Sequence, residues 1–372
     1  MRRVTDKALR GDYAQQTSLI VKEKIYPALE RQIALVREMQ KEASSEAGVW
    51  RLPDGDAYYA ASLTAWVTTS KNPAEIHQLG LTLVKEHSAQ IDALMRKLGM
   101  TQGTVGERLR AMYRDPKNLY PNTDEAKQVL LVDLNARVRR LRVKLPNYFA
   151  TLPKADVEIR RLPKEIEAGA GARYDNSSLD GKRPGVYWIN LRDTAETPNW
   201  ALPTLTYHES IPGHHLQLSI QQEANLPLIR KVSFYSAYGE GWALYAEQLA
   251  AEMGEYEGDP LGHIGQLHAS MYRAVRLVVD TGLHSKRWTR DQAIAYFTES
   301  LGDPESTAIT EVERYCVWPG QACAYMLGKL AFLAQRARAQ EVLGAKYDIR
   351  KFHDAMLLPG GLPLELLERI YA

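Results

Sequence analysis

Val186-Tyr187-Trp188-Ile189-Asn190-Leu191 is the best strand-forming run in a chain whose apolar residues otherwise recur mostly at helical spacing. The turn cluster Asp180-Gly181-Lys182-Arg183-Pro184-Gly185 leads into it, and Val157-Glu158-Ile159-Arg160 alternates as a short strand does. Helices are expected on both sides. Residues 13–44 read as a long packing helix with an apolar stripe of Ile25, Leu29, Ile33 and Val36. Asn72 as cap, Pro73 at the first position and Glu75 in the first turn open another that stops at Gly99. Further helices are expected near 104–114 and 124–144, and after the strand near 204–222, 227–252, 261–285, 289–299, 304–315, 319–340 and 363–371. So little strand permits only a small sheet. The expected fold is mainly α, with a small antiparallel β-sheet beside the helix that follows it. Residues 1–150 would form a helical N-terminal region and 151–372 the region carrying the chemistry, interlocked as one unit.

Charge excludes several partners. The 47 Lys and Arg nearly balance 45 Asp and Glu, with no block of one sign long enough to hold a nucleic acid or a membrane surface. No uninterrupted apolar run reaches membrane length, so no membrane span is expected. Met1 leads into Arg2-Arg3 without an apolar segment, which reads as cytoplasmic; removal of a signal segment would make it periplasmic or secreted. Cys316 and Cys323 lie in a segment that reads as one helix, about 10 Å apart along its axis, too far to pair. Nothing in the sequence sets the oligomeric state.

The chemistry concentrates in His208-Glu209-Ser210-Ile211-Pro212-Gly213-His214-His215, which holds three of the nine histidines. Imidazoles beside a carboxylate are the donors of a catalytic zinc site. The run approaches H-E-x-x-H, in which two histidines one turn apart bind zinc and the glutamate activates water. Here the second histidine arrives two residues late. On an uninterrupted helix, positions six or seven apart could not share an ion. Pro212-Gly213 can form a bulge that absorbs the extra residues. His208 and His214 are then the expected ligands, with His215 the alternative to His214. Glu240, between Gly239 and Gly241 and 26 residues beyond His214, is the expected third ligand. Glu209 is the expected base, and Glu247 would orient a ligand histidine through its free ring nitrogen.

Five runs, DGKRPGVYWINL, YHESIPGHHLQ, YGEGWALYAEQL, RAVRLVVDTGLH and ERYCVWPGQACAYMLGKLA, resemble the blocks of domain-of-unknown-function family 885, a bacterial group similar to zinc peptidases. The wider resemblance is to gluzincins of the thimet oligopeptidase and angiotensin-converting enzyme type, which place a glutamate ligand about 25 residues past the second histidine. It implies a gluzincin-like multi-helix architecture and a metallopeptidase holding one Zn²⁺ per chain. Family members tend to be longer at the N-terminus and often carry an export signal, so the resemblance implies a truncated or processed form.

Peptide hydrolysis also needs a donor for the oxyanion, and His284, Tyr315 and Tyr325 are candidates. Arg276 and Arg183 are candidate substrate-binding residues, although Arg276 and Asp280, one turn apart, could simply pair. The edge of the strand 186–191 could receive an extended peptide. The expected function is hydrolysis of short peptides by metal-activated water. The alternatives are a zinc amidase or deacylase, or a non-catalytic helical binding protein.

Overall fold

The computed structural model describes residues 11–168 and 170–370. The described residues up to Glu46 form one unit and those from Ala47 onward another. In the first, α1 (Tyr13–Ile20), a π-helical segment (Val21–Ile25) and α2 (Tyr26–Lys41) follow one another. Ile25, Leu29, Ile33 and Val36 are exposed there, so the expected packing stripe is uncovered. Periodicity reports that a helix is amphipathic, not what covers it.

The second unit begins with α3 (Gly55–Val67), α4 (Pro73–Lys97), α5 (Val105–Arg114) and α6 (Asp124–Lys144). Local chemistry starts α4 and α5 where expected. The Asn72 side chain accepts from the amides of Ala74 and Glu75, and Glu75 accepts from the Asn72 amide at 2.9 Å, a reciprocal capping box. Thr104 and Glu107 repeat the device at the head of α5.

Three strands follow: β1 (Val157–Arg161), β2 (Arg173–Asp175) and β3 (Gly185–Ile189). Their order is β1-β3-β2, with β3 parallel to β1 and antiparallel to β2. The sheet is therefore mixed, not antiparallel as expected. The expected peptide-binding edge on β3 is also corrected, because β3 is central and hydrogen-bonded on both sides. Pairing is set by where the chain returns, and the short β2, absent from the sequence reading, occupies one flank of β3 and leaves its own outer edge open.

The rest is helical: α7 (Leu202–Glu209), α8 (His214–Glu223), α9 (Leu228–Val232), α10 (Ser236–Glu252), α11 (Pro260–Ser285), α12 (Arg290–Leu301), α13 (Glu305–Val317), α14 (Ala324–Leu343), α15 (Ile349–Leu357) and α16 (Leu364–Leu367). Two expected helices are each split, at Ser210–Gly213 and at Ser233–Tyr235. The cysteines do not share a helix, since α13 stops ahead of Pro319-Gly320 and Cys323 closes a separate 3₁₀ turn; both thiols are free.

Helices α10 and α14 meet backbone to backbone. A Cβ on Gly328 would stand 1.8 Å from the Ala237 carbonyl oxygen, and one on Gly241 would stand 2.4 Å from Gly328 backbone atoms. This contact seats α10, which carries Glu240 and Glu247. Gly328→Ala is expected to destabilise the fold by about 1–3 kcal/mol through overpacking. Urea unfolding checks this, and an unchanged midpoint would contradict the close crossing.

Candidate metal site

Helix α7 ends at Glu209 and α8 begins at His214, so the extra residues form a break between helices, not a bulge within one. The Ile211–Pro212 peptide is cis. Ser210 Oγ donates to the Thr206 carbonyl at 2.5 Å, and the His215 amide donates to the Ser210 carbonyl at 3.1 Å. Trp242 Nε1 donates to the Pro212 carbonyl at 2.9 Å and ties the turn to α10. The segment between the histidines is thereby anchored to the helix that carries Glu240.

These constraints bring His208, His214 and Glu240 together, each offering a ligand atom within 4.8 Å of the others. Glu240 Oε2 lies 3.4 Å from His208 Nε2 and 3.3 Å from His214 Nε2. Ligands about 2.1 Å from a tetrahedral zinc ion would be about 3.4 Å apart, so the residues present fit such an ion. Gly239 and Gly241 let α10 approach, because a Cβ at the first would strike the Phe234 ring and at the second Gly328.

Glu247, fully buried, accepts from His208 Nδ1 at 2.8 Å and leaves Nε2 facing Glu240. Burial opposes a charge on His208, but hydrogen bonds to Glu240 and Glu247 outweigh it and push its pKa up to about 9. Burial likewise works against ionised Glu240, yet the two imidazoles hold its carboxyl well below the usual range. The Glu240 carboxylate is thus stabilised by positive charge beside it, which a divalent cation held by the cluster would supply in place of protons.

Glu209 lines the same cavity, and burial pushes its pKa up. His215 turns away. Its Nδ1 lies 2.9 Å from the Tyr174 hydroxyl and its Nε2 3.1 Å from the Ala155 carbonyl, and burial lowers its pKa to about 4. It ties α8 to the sheet as a neutral imidazole.

The cavity, of about 320 Å³, is also lined by Ala172, Arg173, Tyr174, Leu218, Phe234, Arg273, Arg276 and Tyr325. Of the expected oxyanion donors, it contains only Tyr325. His284 is sealed inside, accepting from the Val49 amide at 3.1 Å and bonded to the Tyr315 carbonyl at 3.0 Å. Tyr315, also sealed, donates to Glu311 at 2.7 Å and accepts from Arg276 Nε at 3.0 Å. Arg183 is exposed and donates to the Asn176 carbonyl, bracing its own turn. Arg276 reaches the cavity, but it pairs with Glu311, while Asp280 is held by Tyr59 and Gly320. The sequence reading missed Arg273 and Tyr174. Arg273 could have been found as the neighbour of Arg276 one turn back on the same face.

Fold and site together define a mainly helical protein with a small mixed sheet and a cluster of two buried histidines and a partly buried glutamate that could hold a metal. The chain belongs to the family of bacterial proteins of unknown function DUF885, whose model matches residues 2–370. A solved structure titled "The crystal structure of the putative lipoprotein from Colwellia psychrerythraea" is 43% identical, with a TM-score of 0.93 over 97% of this chain. The chain spans 63% of that protein's length. A second, "a putative lipoprotein of unknown function from Shewanella oneidensis", is 18% identical with a TM-score of 0.76 over 99% of this chain and 69% of its own, and shares the fold. No curated protein matches the sequence. Among the described residues no helix is long and apolar enough to cross a membrane.

Proposed function

We propose that the chain is a zinc-dependent peptidase of gluzincin-like architecture acting on short peptides. The observation that carries this reading is the spacing of His208, His214 and Glu240 with Glu209 in the same cavity, because a purely structural site needs no neighbouring base. One Zn²⁺ held by those three residues would acidify water and polarise the scissile carbonyl. Glu209 takes the water's proton and passes it to the leaving amine. Tyr325, kept neutral by burial and by Glu240, donates a hydrogen bond from its hydroxyl to the developing oxyanion. Glu247 holds His208 in the tautomer that leaves Nε2 free for the metal. The open edge of β2 beside the cavity, with Arg173 and Tyr174, suits an extended peptide. Likeness to a putative lipoprotein from Colwellia psychrerythraea supports an exported location.

The protein is expected to bind about one equivalent of zinc and to cleave members of a short-peptide library, with chelation abolishing cleavage and zinc restoring it. Mass-spectrometric digestion with and without chelator checks this. Cleavage that survives complete metal removal would end the proposal, while activity only on non-peptide amides would point to an amidase.

A further inference from the structure

The wall of the metal cavity carries more positive charge than its neighbours answer. Arg273 and Arg276 stand one turn apart on α11 and line both the metal cavity and a second cavity of about 440 Å³. Arg276 is 8% exposed, and its guanidinium lies between two rings, 4.4 Å from the centroid of Tyr325 and 4.8 Å from that of Tyr272. Its Nε donates to Tyr315 and its Nη2 to Glu311 at 2.8 Å, so the plane is fixed. Its Nη1, buried, has no hydrogen-bond partner among the described residues, and neither has Arg273 Nε.

An unanswered buried guanidinium nitrogen is costly, and the surroundings do not cancel it. Glu311 is shared among Arg276, Arg314 and Tyr315. Glu247 is engaged by His208 and lies 3.5 Å from Arg273 Nη2. Lys329, 4% exposed, adds a further cation and donates to Ser270. Across the second cavity, Asp303 is already taken by His268 at 2.8 Å. A planar anion with two oxygens is what this arrangement lacks, and a carboxylate meets guanidinium donors with matched geometry.

The geometry points to a carboxylate-binding subsite where the guanidinium groups of Arg273 and Arg276 border both cavities, which receives the free C-terminal carboxylate of the peptide. The site would then act near C-terminal ends and release short C-terminal fragments. This rests on the peptidase reading for its consequence, but the subsite itself is testable without turnover.

The probe is N-acetyl-tetra-alanine as the free acid, compared with its C-terminal amide and with an amidated peptide carrying one internal glutamate. Calorimetric titration is done on zinc-loaded Glu209→Gln and on chelator-treated wild type, the latter because a carboxylate could also bind zinc directly. The acid is expected to bind about 10- to 100-fold tighter than the amide in both forms, as for a charge-assisted pair. Arg273→Gln and Arg276→Lys, each verified as folded, are expected to close most of that gap. Equal affinity of acid and amide, or no binding of either, overturns the subsite. Equal tightening by the internal glutamate overturns the C-terminal assignment and makes the ligand an acidic side chain. If wild-type holoprotein cleaves acid and amide equally, the peptidase reading stands and the subsite falls. If it cleaves neither yet binds the acid preferentially, the subsite stands and the peptidase reading falls.

Discussion

On the proposed mechanism, Glu209→Gln retains zinc and loses peptide hydrolysis by about 100- to 10,000-fold, the contribution of a positioned general base. Glutamine matches glutamate in size and keeps a carbonyl oxygen where the carboxylate stood, but it cannot take a proton from water. Glu209 lies outside the three-residue ligand set, so zinc stoichiometry should be unchanged. The substitution also removes an ionisable group whose charge burial already disfavours, so the fold should be no less stable. Turnover and bound zinc measured on one preparation check this. Undiminished turnover with zinc bound would remove Glu209 from the chemistry, and loss of zinc would place it among the ligands.

Gly213→Ala is expected to weaken zinc binding by about 10- to 100-fold, the range seen when the groups that orient ligands are disturbed. A Cβ at Gly213 would stand 1.9 Å from the His208 carbonyl oxygen, 2.3 Å from that of Tyr207 and 2.6 Å from the His208 carbonyl carbon. All three are backbone atoms, and no side chain can swing aside to make room. The turn must shift, and it carries His208 at one end and His214 at the other. Competition with a chromophoric chelator reads the affinity, and circular dichroism separates local from global damage. Wild-type affinity and an unchanged melting curve would contradict the close packing of this turn.

The cluster of candidate metal donors was legible because most of its determinants are local. His208, Glu209 and His214 fall within one short segment, and Glu240 follows after one return of the chain. The glycines flanking Glu240 stand where the Phe234 ring and the Gly328 backbone leave no room for a Cβ. The capped starts of α4 and α5 were readable because the cap and the amides it satisfies are adjacent in sequence.

Other features depended on residues distant in the chain. Spacing favoured His214 and kept His215 as its alternative; the turn between α7 and α8 sets the phase of α8, and Tyr174 with the Ala155 carbonyl claims His215. His284 and Tyr315 have suitable chemistry, but packing against Val49 and Glu311 seals them away from the cavity, whereas Tyr325 lines it. The strand 185–189 was visible, yet its central position followed from β1 and β2, whose pairing depends on the return path of the chain. Sequence alone settled the mainly helical class and most helix starts, and it named His208, Glu240 and one of His214 or His215 as candidate metal donors, because those follow from interactions a few residues long or from one return of the chain. Only the tertiary structure decided which histidine faces the cluster, which tyrosine reaches the cavity and where unmatched guanidinium charge accumulates, because each depends on side chains brought together by packing.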